Sequence, residues 1–207
     1  MRARLLSGLV PVLALAVAGC AAPRTDLVNL WIDADHASAP ATHVMVVALW
    51  QDAEARALWE ERFADVLKQK GVTVTPSYRL MSWPMPDSAA VFRVAARQGC
   101  DAVVVIHEHV VDRNSFYIPG YTTPRAQMVP RWYRFTGHTE VWSGDTAAGW
   151  RSLTCDVELW MSGERSAMVW SATGDVVDPG SDDYAASSAA ITVVSELERL
   201  GLVPSRL

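Results

Sequence analysis

The chain reads as an α/β domain built on a single mixed sheet. Its first half is a parallel β-α-β-α-β run and its second half an antiparallel hairpin, with helices packed on the sheet. Two nearly continuous apolar runs, His43–Trp50 and Ala102–Ile106, suit central strands covered on both faces. Between them, apolar side chains recur twice at helical spacing. Leu153–Met161 then alternates apolar and polar residues, the pattern of a strand with one face in the core.

In chain order, the opening is MRARLLSGLVPVLALAVAGC. Arg2 and Arg4 give a positive start, Leu5–Val17 is a short apolar run, and Val17-Ala18-Gly19-Cys20 closes it with small residues. A membrane span needs ~20 apolar residues, so residues 1–19 fit a secretory signal. The ending resembles the lipobox of bacterial lipoproteins. That resemblance implies a lipidated Cys20 carrying three acyl chains. The plainer alternative is an ordinary cleaved signal with a spare cysteine. Acyl burial contributes ~0.8 kcal/mol per CH2, so several chains hold firmly where one does not. Ala21 stands where many bacteria use Asp to mark inner-membrane retention. The resemblance therefore implies an outer-membrane location facing the periplasm.

Residues 20–42 read as lipidated N-terminus and tether, with Leu30-Trp31-Ile32 as a section able to dock on the domain and Asp33-Ala34-Asp35-His36 as solvated spacer. Residues 43–207 read as one domain. After the first strand, Asp52 is a helix N-cap, Lys68 and Lys70 lie in the last turn and Gly71 is the stop. Ala55, Trp59, Phe63, Val66 and Leu67 share one face of that helix. Val72–Thr75 alternates and Pro76 follows, as in an edge strand. Asp87 or Ser88 caps a second helix with Val91, Phe92, Ala95 and Ala96 inward, ending at Gly99. Right-handed crossovers place the first strand between the second and third.

His138–Ser143 supplies a further strand in this reading. Leu153–Met161 and Ser166–Thr173 form a hairpin around Ser162–Arg165, with Leu159 facing Met168, Val157 facing Trp170 and Cys155 facing Ala172. Asp182 or Asp183 starts a last helix with Ala190, Ile191, Val194 and Leu197 inward, stopped at Gly201.

Half of the 207 residues are apolar, enough for a folded core. Net charge is −5, and loss of Arg2 and Arg4 with the signal makes the chain more acidic. This argues against general nucleic-acid binding, which wants a basic face. Cys100 and Cys155 remain besides Cys20. Two thiols in an oxidising compartment either pair or stay buried and free.

A wider resemblance rests on Trp31-Ile32-Asp33, Val46-Val47, the Arg56–Phe63 helix, Lys70-Gly71-Val72, Pro76-Ser77-Tyr78, Gly99–Val105 and Met168–Ser171. Together with the lipobox these resemble small bacterial envelope lipoproteins of unknown function. The first half is similar to the N-terminal domain of TolB and to the curli-secretion lipoprotein CsgG. Cys100 departs from the Gly-Ala-Asp-Ala pattern common before the third strand. The resemblance implies location and architecture without a reaction. By analogy with CsgG it also implies a ring-forming secretion component.

Catalytic patterns are few. No G-x-S-x-G elbow, P-loop or G-x-G-x-x-G occurs, and no cofactor is indicated. His107 and His109 point to one side of the third strand, and His138 and Glu140 repeat that spacing on the next expected strand. Side by side, these four would suit zinc and a metal-dependent hydrolase; as polar residues past a strand end they are simply solvated. The other candidate is FYIPGYTTPRAQMVPRWYRF, residues 116–135, with six aromatic residues, three prolines, three arginines and no acid. Tyr, Trp and Arg are enriched at binding hot spots. Tyr117, Tyr121, Arg125, Arg131, Trp132, Tyr133 and Arg134 therefore form a candidate surface within residues 112–137 for lipid, an envelope protein or a glycan. The structural alternative is that these rings fold back as cover for the sheet. The expected function is a non-enzymatic, membrane-anchored binding or assembly factor, with oligomeric state left open.

Overall fold

The computed structural model describes residues 25–35, 39–50, 52–82, 87–108, 123–124, 140–141, 152–163, 166–177 and 180–205. Among the described residues, eight strands and three α-helices follow in order: β1 (Thr25–Ile32), β2 (His43–Leu49), α1 (Ala53–Gln69), β3 (Thr73–Pro76), α2 (Ser88–Arg97), β4 (Ala102–Glu108), β5 (Thr123–Pro124), β6 (Glu140–Val141), β7 (Ser152–Met161), β8 (Ala167–Val177) and α3 (Asp182–Arg199). One six-stranded sheet runs β1-β8-β7-β4-β2-β3. β2 pairs in parallel with β3 and β4, and the β4-β7, β7-β8 and β8-β1 pairs are antiparallel. The sheet is thus mixed, as the sequence predicts.

The helices fall where crossover handedness sends them. From β2 to β3 the chain moves one way along the sheet; from β3 to β4 it moves back past β2. Two right-handed crossovers in opposite directions put α1 and α2 on opposite faces. Trp59, Phe63 and Leu67 of α1 join Val44, Val46, Val104, Ile106, Val157, Leu159 and Trp170 in the larger core, to which α3 adds Ala186, Ala190, Val193 and Leu197. The smaller core holds Val91 and Ala95 of α2 with Met45, Val47, Val103, Val105 and Trp160. A large side chain taken fully out of water contributes ~1.5–3 kcal/mol, and Trp59, Phe63, Met45 and Leu159 all reach that limit. Trp50 stacks on Trp59 at 4.5 Å between ring centroids.

The expected caps are present. Asp52 accepts from Ala55 N and Asp87 from Ala90 N. Gly71 takes φ 85 just past α1, a conformation that glycine adopts without a Cβ clash. The last helix starts at Asp182, as expected; Ser181 Oγ caps it by accepting from Tyr184 N, which leaves Asp182 and Asp183 in the positive first turn.

Five details differ from the sequence reading. First, the middle of the 20–42 segment is a strand. β1 pairs with β8 from Thr25↔Val176 to Ile32↔Trp170, with a bulge between Val28 and Trp31 where Asn29 takes φ 52. Second, the hairpin register is displaced: Leu159 faces Trp170, Val157 faces Ala172 and Cys155 faces Gly174, while Trp160 faces Met168. An extra residue in β8 makes a bulge there, so neighbours Val169 and Trp170 both enter the larger core. Third, Ile191 is 56% exposed. A band of alanines packs α3 closely on the sheet, and Ile191 falls beside that band, over β1. Fourth, Ala96 is exposed and Val94 packs against the core in its place. Fifth, the strand beside β4 is β7, whereas β6 pairs with β5 in a separate two-stranded sheet.

Candidate functional site

Cys20 lies outside the described residues, as do Tyr117, Tyr121, Arg125, Arg131, Trp132, Tyr133 and Arg134. Of the four zinc candidates, His109 and His138 also lie outside them. His107 sits near the carboxyl end of β4, opposite Asp156 of β7, and Glu140 belongs to the other sheet. The expected juxtaposition required the 138–143 strand beside β4, and β7 takes that place. Among the described residues, no three His, Cys, Asp or Glu side chains group as metal ligands.

Cys100 and Cys155 are free and buried. They sit in different cores on opposite faces of the sheet, which excludes a bridge between them. Burial pushes the Cys155 thiol up to about 12, and burial raises Cys100 as well. Neither is a ready nucleophile at neutral pH.

His107 instead belongs to a polar strip on the α2 side of the sheet. Its Nε2 stands 3.6 Å from Glu158 Oε2, and Trp160 Nε1 donates to the same oxygen at 2.8 Å. Glu158 is buried. Beside it, Thr173 Oγ1 donates to Asp156 Oδ1 at 2.6 Å, and Asn29 Nδ2 donates to Thr173 Oγ1 at 3.5 Å. Further along, Asp175 faces Asp26 across the β8–β1 pair, and burial together with that like charge raises its carboxyl. The strip adjoins the base of residues 109–151, which leave from Glu108 and rejoin at Ser152; Glu108 pairs with Cys155 across β4 and β7. Residue 109 thus follows directly on the carboxyl end of a parallel strand, the end at which open α/β sheets offer their ligand-binding loops.

A second buried polar group was missed by sequence reading. Glu60 Oε1 accepts from Ala48 N at 3.1 Å, Arg56 Nε at 3.0 Å and Ser77 Oγ at 2.8 Å, and its Oε2 accepts from Tyr78 N at 2.7 Å. Arg56 also donates to Met81 O and Ser77 Oγ. Burial pushes the Glu60 carboxyl up, against the pull of Tyr78 N and Arg56. Both Glu60 oxygens and all three Arg56 nitrogens are engaged, so the cluster ties α1 to β2 and to the turn after β3. The signal for it was a charged i, i+4 pair on the same helical face as Trp59 and Phe63. Asp101 makes a similar tie: its carboxylate accepts from Thr42 N and Thr42 Oγ1, both at 2.8 Å, and from His43 N at 3.0 Å.

A shallow groove of about 480 Å3 lies between β1 and α3, lined by Asp26, Leu27, Leu30, Ile191, Thr192 and Arg199. No helix among the described residues is long and apolar enough to cross a membrane.

No protein-family model matches the chain, and no curated protein does. Solved structures similar to it include the PelC dodecamer from Paraburkholderia phytofirmans, at 17% identity and TM-score 0.47, covering 86% of this chain and 98% of that one. The lipoprotein GNA1162 from Neisseria meningitidis is similar at 13% identity and TM-score 0.39, covering 76% of this chain and 99% of that one.

Proposed function

We propose that the chain is a lipoprotein of the bacterial outer membrane, facing the periplasm, which holds an envelope protein or glycan without catalysing a reaction on it. The observation that carries the anchor is Val17-Ala18-Gly19-Cys20 closing a charged and then apolar start. The holding surface is the segment 112–137, where Tyr117, Tyr121, Arg125, Arg131, Trp132, Tyr133 and Arg134 bring planar rings and guanidinium groups to a chain that is otherwise acidic. Its base on β4 and β7 supports this reading, because binding residues commonly ride on connections held by a rigid sheet.

Two measurements test the two halves separately. Radiolabelled palmitate should enter the wild-type protein and not Cys20→Ser, which should fail to reach the membrane fraction; normal localisation of that variant removes the anchor. Crosslinked envelopes should yield a partner that a Trp132→Ala, Tyr133→Ala, Arg134→Ala triple variant no longer captures. An unchanged partner set removes the segment from the reading.

A further inference from the structure

The exposed large apolar side chains among the described residues gather on one edge. Val28, Leu30, Trp31 and Ile32 lie on β1 and Tyr184 and Ile191 on α3, whereas Leu80 lies near the opposite edge beyond β3. Apolar side chains gathered along one edge mark a contact site. An edge strand ordinarily invites strand addition through its free backbone groups. Here the row is broken: the bulge between Val28 and Trp31, with Asn29 at φ 52, interrupts the regular ladder. The edge offers side chains more readily than a continuous line of hydrogen bonds.

Chain length says what lies nearby. Thr25 opens β1 five residues after Cys20, and five residue steps span at most about 17 Å. β1 itself runs for about 26 Å, so a bilayer holding Cys20 lies within reach of the start of this edge. The opposite edge stands about 24 Å away across five strand spacings. Trp31, flanked by Leu30 and Ile32, has the amphipathic ring that settles at headgroup level. Val28 and Trp31 share the side of Thr173 and Ser171 by register, while Leu27 and Leu30 line the groove with Ile191. The apolar groups thus straddle the edge.

We propose that the β1–α3 edge is a membrane-docking face, seating Leu30, Trp31, Ile32 and Ile191 at the surface of the bilayer that carries the Cys20 anchor. The sheet then stands on its β1 edge. This rests on the lipoprotein reading. Asp26 and Asp35 are exposed along the same edge, and like charge repels anionic headgroups, so the face suits zwitterionic phospholipid.

The test uses the full lipidated chain in phosphatidylcholine vesicles, with an environment-sensitive fluorophore on Leu30→Cys, Ile191→Cys or Leu80→Cys. Cys100 is 5% exposed and Cys155 0%, which confines labelling to the introduced thiol. Probes at 30 and 191 should be quenched several-fold more by lipid-borne quencher than the probe at 80, and less by aqueous iodide. Added phosphatidylglycerol should weaken the difference. If the protein floats with the vesicles while all three probes behave alike, docking is overturned and the anchor stands. Protection at 30 and 191 from both quenchers assigns the edge to a second protein copy and also overturns docking. Failure to float removes the anchor reading and the docking with it.

Discussion

Replacing Glu60 by alanine should destabilise the protein by about 3–5 kcal/mol, the range for removing one partner of a buried ion pair. Arg56 is 4% exposed, and its Nε loses the carboxylate at 3.0 Å. It keeps Met81 O and Ser77 Oγ, which are neutral acceptors and do not offset its charge. Ala48 N and Tyr78 N lose their acceptor at the same time. Such a loss is a large share of the ~5–15 kcal/mol that holds a typical domain together. For a domain of this size, ~2–4 °C per kcal/mol gives a Tm drop of roughly 6–20 °C. Urea unfolding followed by tryptophan fluorescence measures it, since Trp59 and Trp170 report the core. The exposed pair Arg199–Glu196 is the control, and its removal should change stability by less than ~1 kcal/mol. Arg56→Met combined with Glu60→Leu should lose less than the two single changes added together, because no unpaired charge remains buried. A Glu60→Ala loss no greater than that of the control pair would refute the reasoning.

Asp101→Ala should destabilise by about 1–3 kcal/mol, since Thr42 N and His43 N lose their shared acceptor; hydrogen exchange at those two amides should rise before exchange in β4 does. Gly174→Val should cost about 1–3 kcal/mol through overpacking, because even a Cβ there meets Cys155 Sγ at 3.3 Å and Thr25 Cγ2 at 3.4 Å. Cys155→Ala in the same chain should restore part of that loss, and no restoration would point to a different cause. The Cys155 thiol is held at about 12 in the folded state against 9.0 ordinarily. Its contribution to stability is therefore present below the unfolded value and lost as pH rises through the folded one. Cys155→Ala should flatten the alkaline fall of unfolding free energy, and an unchanged slope would count against the burial argument.

Much of the scaffold was legible. Continuous apolar runs located β2 and β4, helical spacing with Asp52, Asp87, Gly71 and Gly99 bounded α1 and α2, and crossover handedness ordered the parallel strands. The hairpin showed the core face of Cys155, Val157, Leu159, Trp170 and Ala172, because a displacement of two keeps each of these on its face, while the bulge turns Met168 to the other side. It did not show the pairing itself, because the bulge at Val169 has no local residue signature. β1 was illegible for a related reason: Leu27, Val28, Leu30, Trp31 and Ile32 do not alternate, since Asn29 turns the chain between them. The zinc grouping expected the 138–143 strand beside β4, where β7 lies, because spacing within a strand says nothing about which strand lies beside it. Arg56 and Glu60 were visible as residues on a buried face, but their partners come from β2 and from Ser77–Met81, which only the tertiary fold brings near.

The same topology separates the parts of the proposed function. α1 and α3 cover one side of the sheet from β3 to β1, whereas α2 contributes its core contacts on the other side near β2 and β4. On that side β7 meets α2 through Trp160 and Phe92, and β7 and β8 also carry Asp156, Glu158, Ser171 and Thr173 there, with Glu158 and Thr173 buried. The long connection from β4 to β7 starts beside this strip, at the carboxyl end of a strand whose own pairing on both sides holds it fixed. The edge nearest the proposed anchor is instead apolar and belongs to β1, two strands beyond β7. A protein held by β1 at a membrane therefore carries the base of residues 109–151 on interior strands, about 10–14 Å from that edge at strand spacing. The anchor and the partner surface can then act without competing for the same residues.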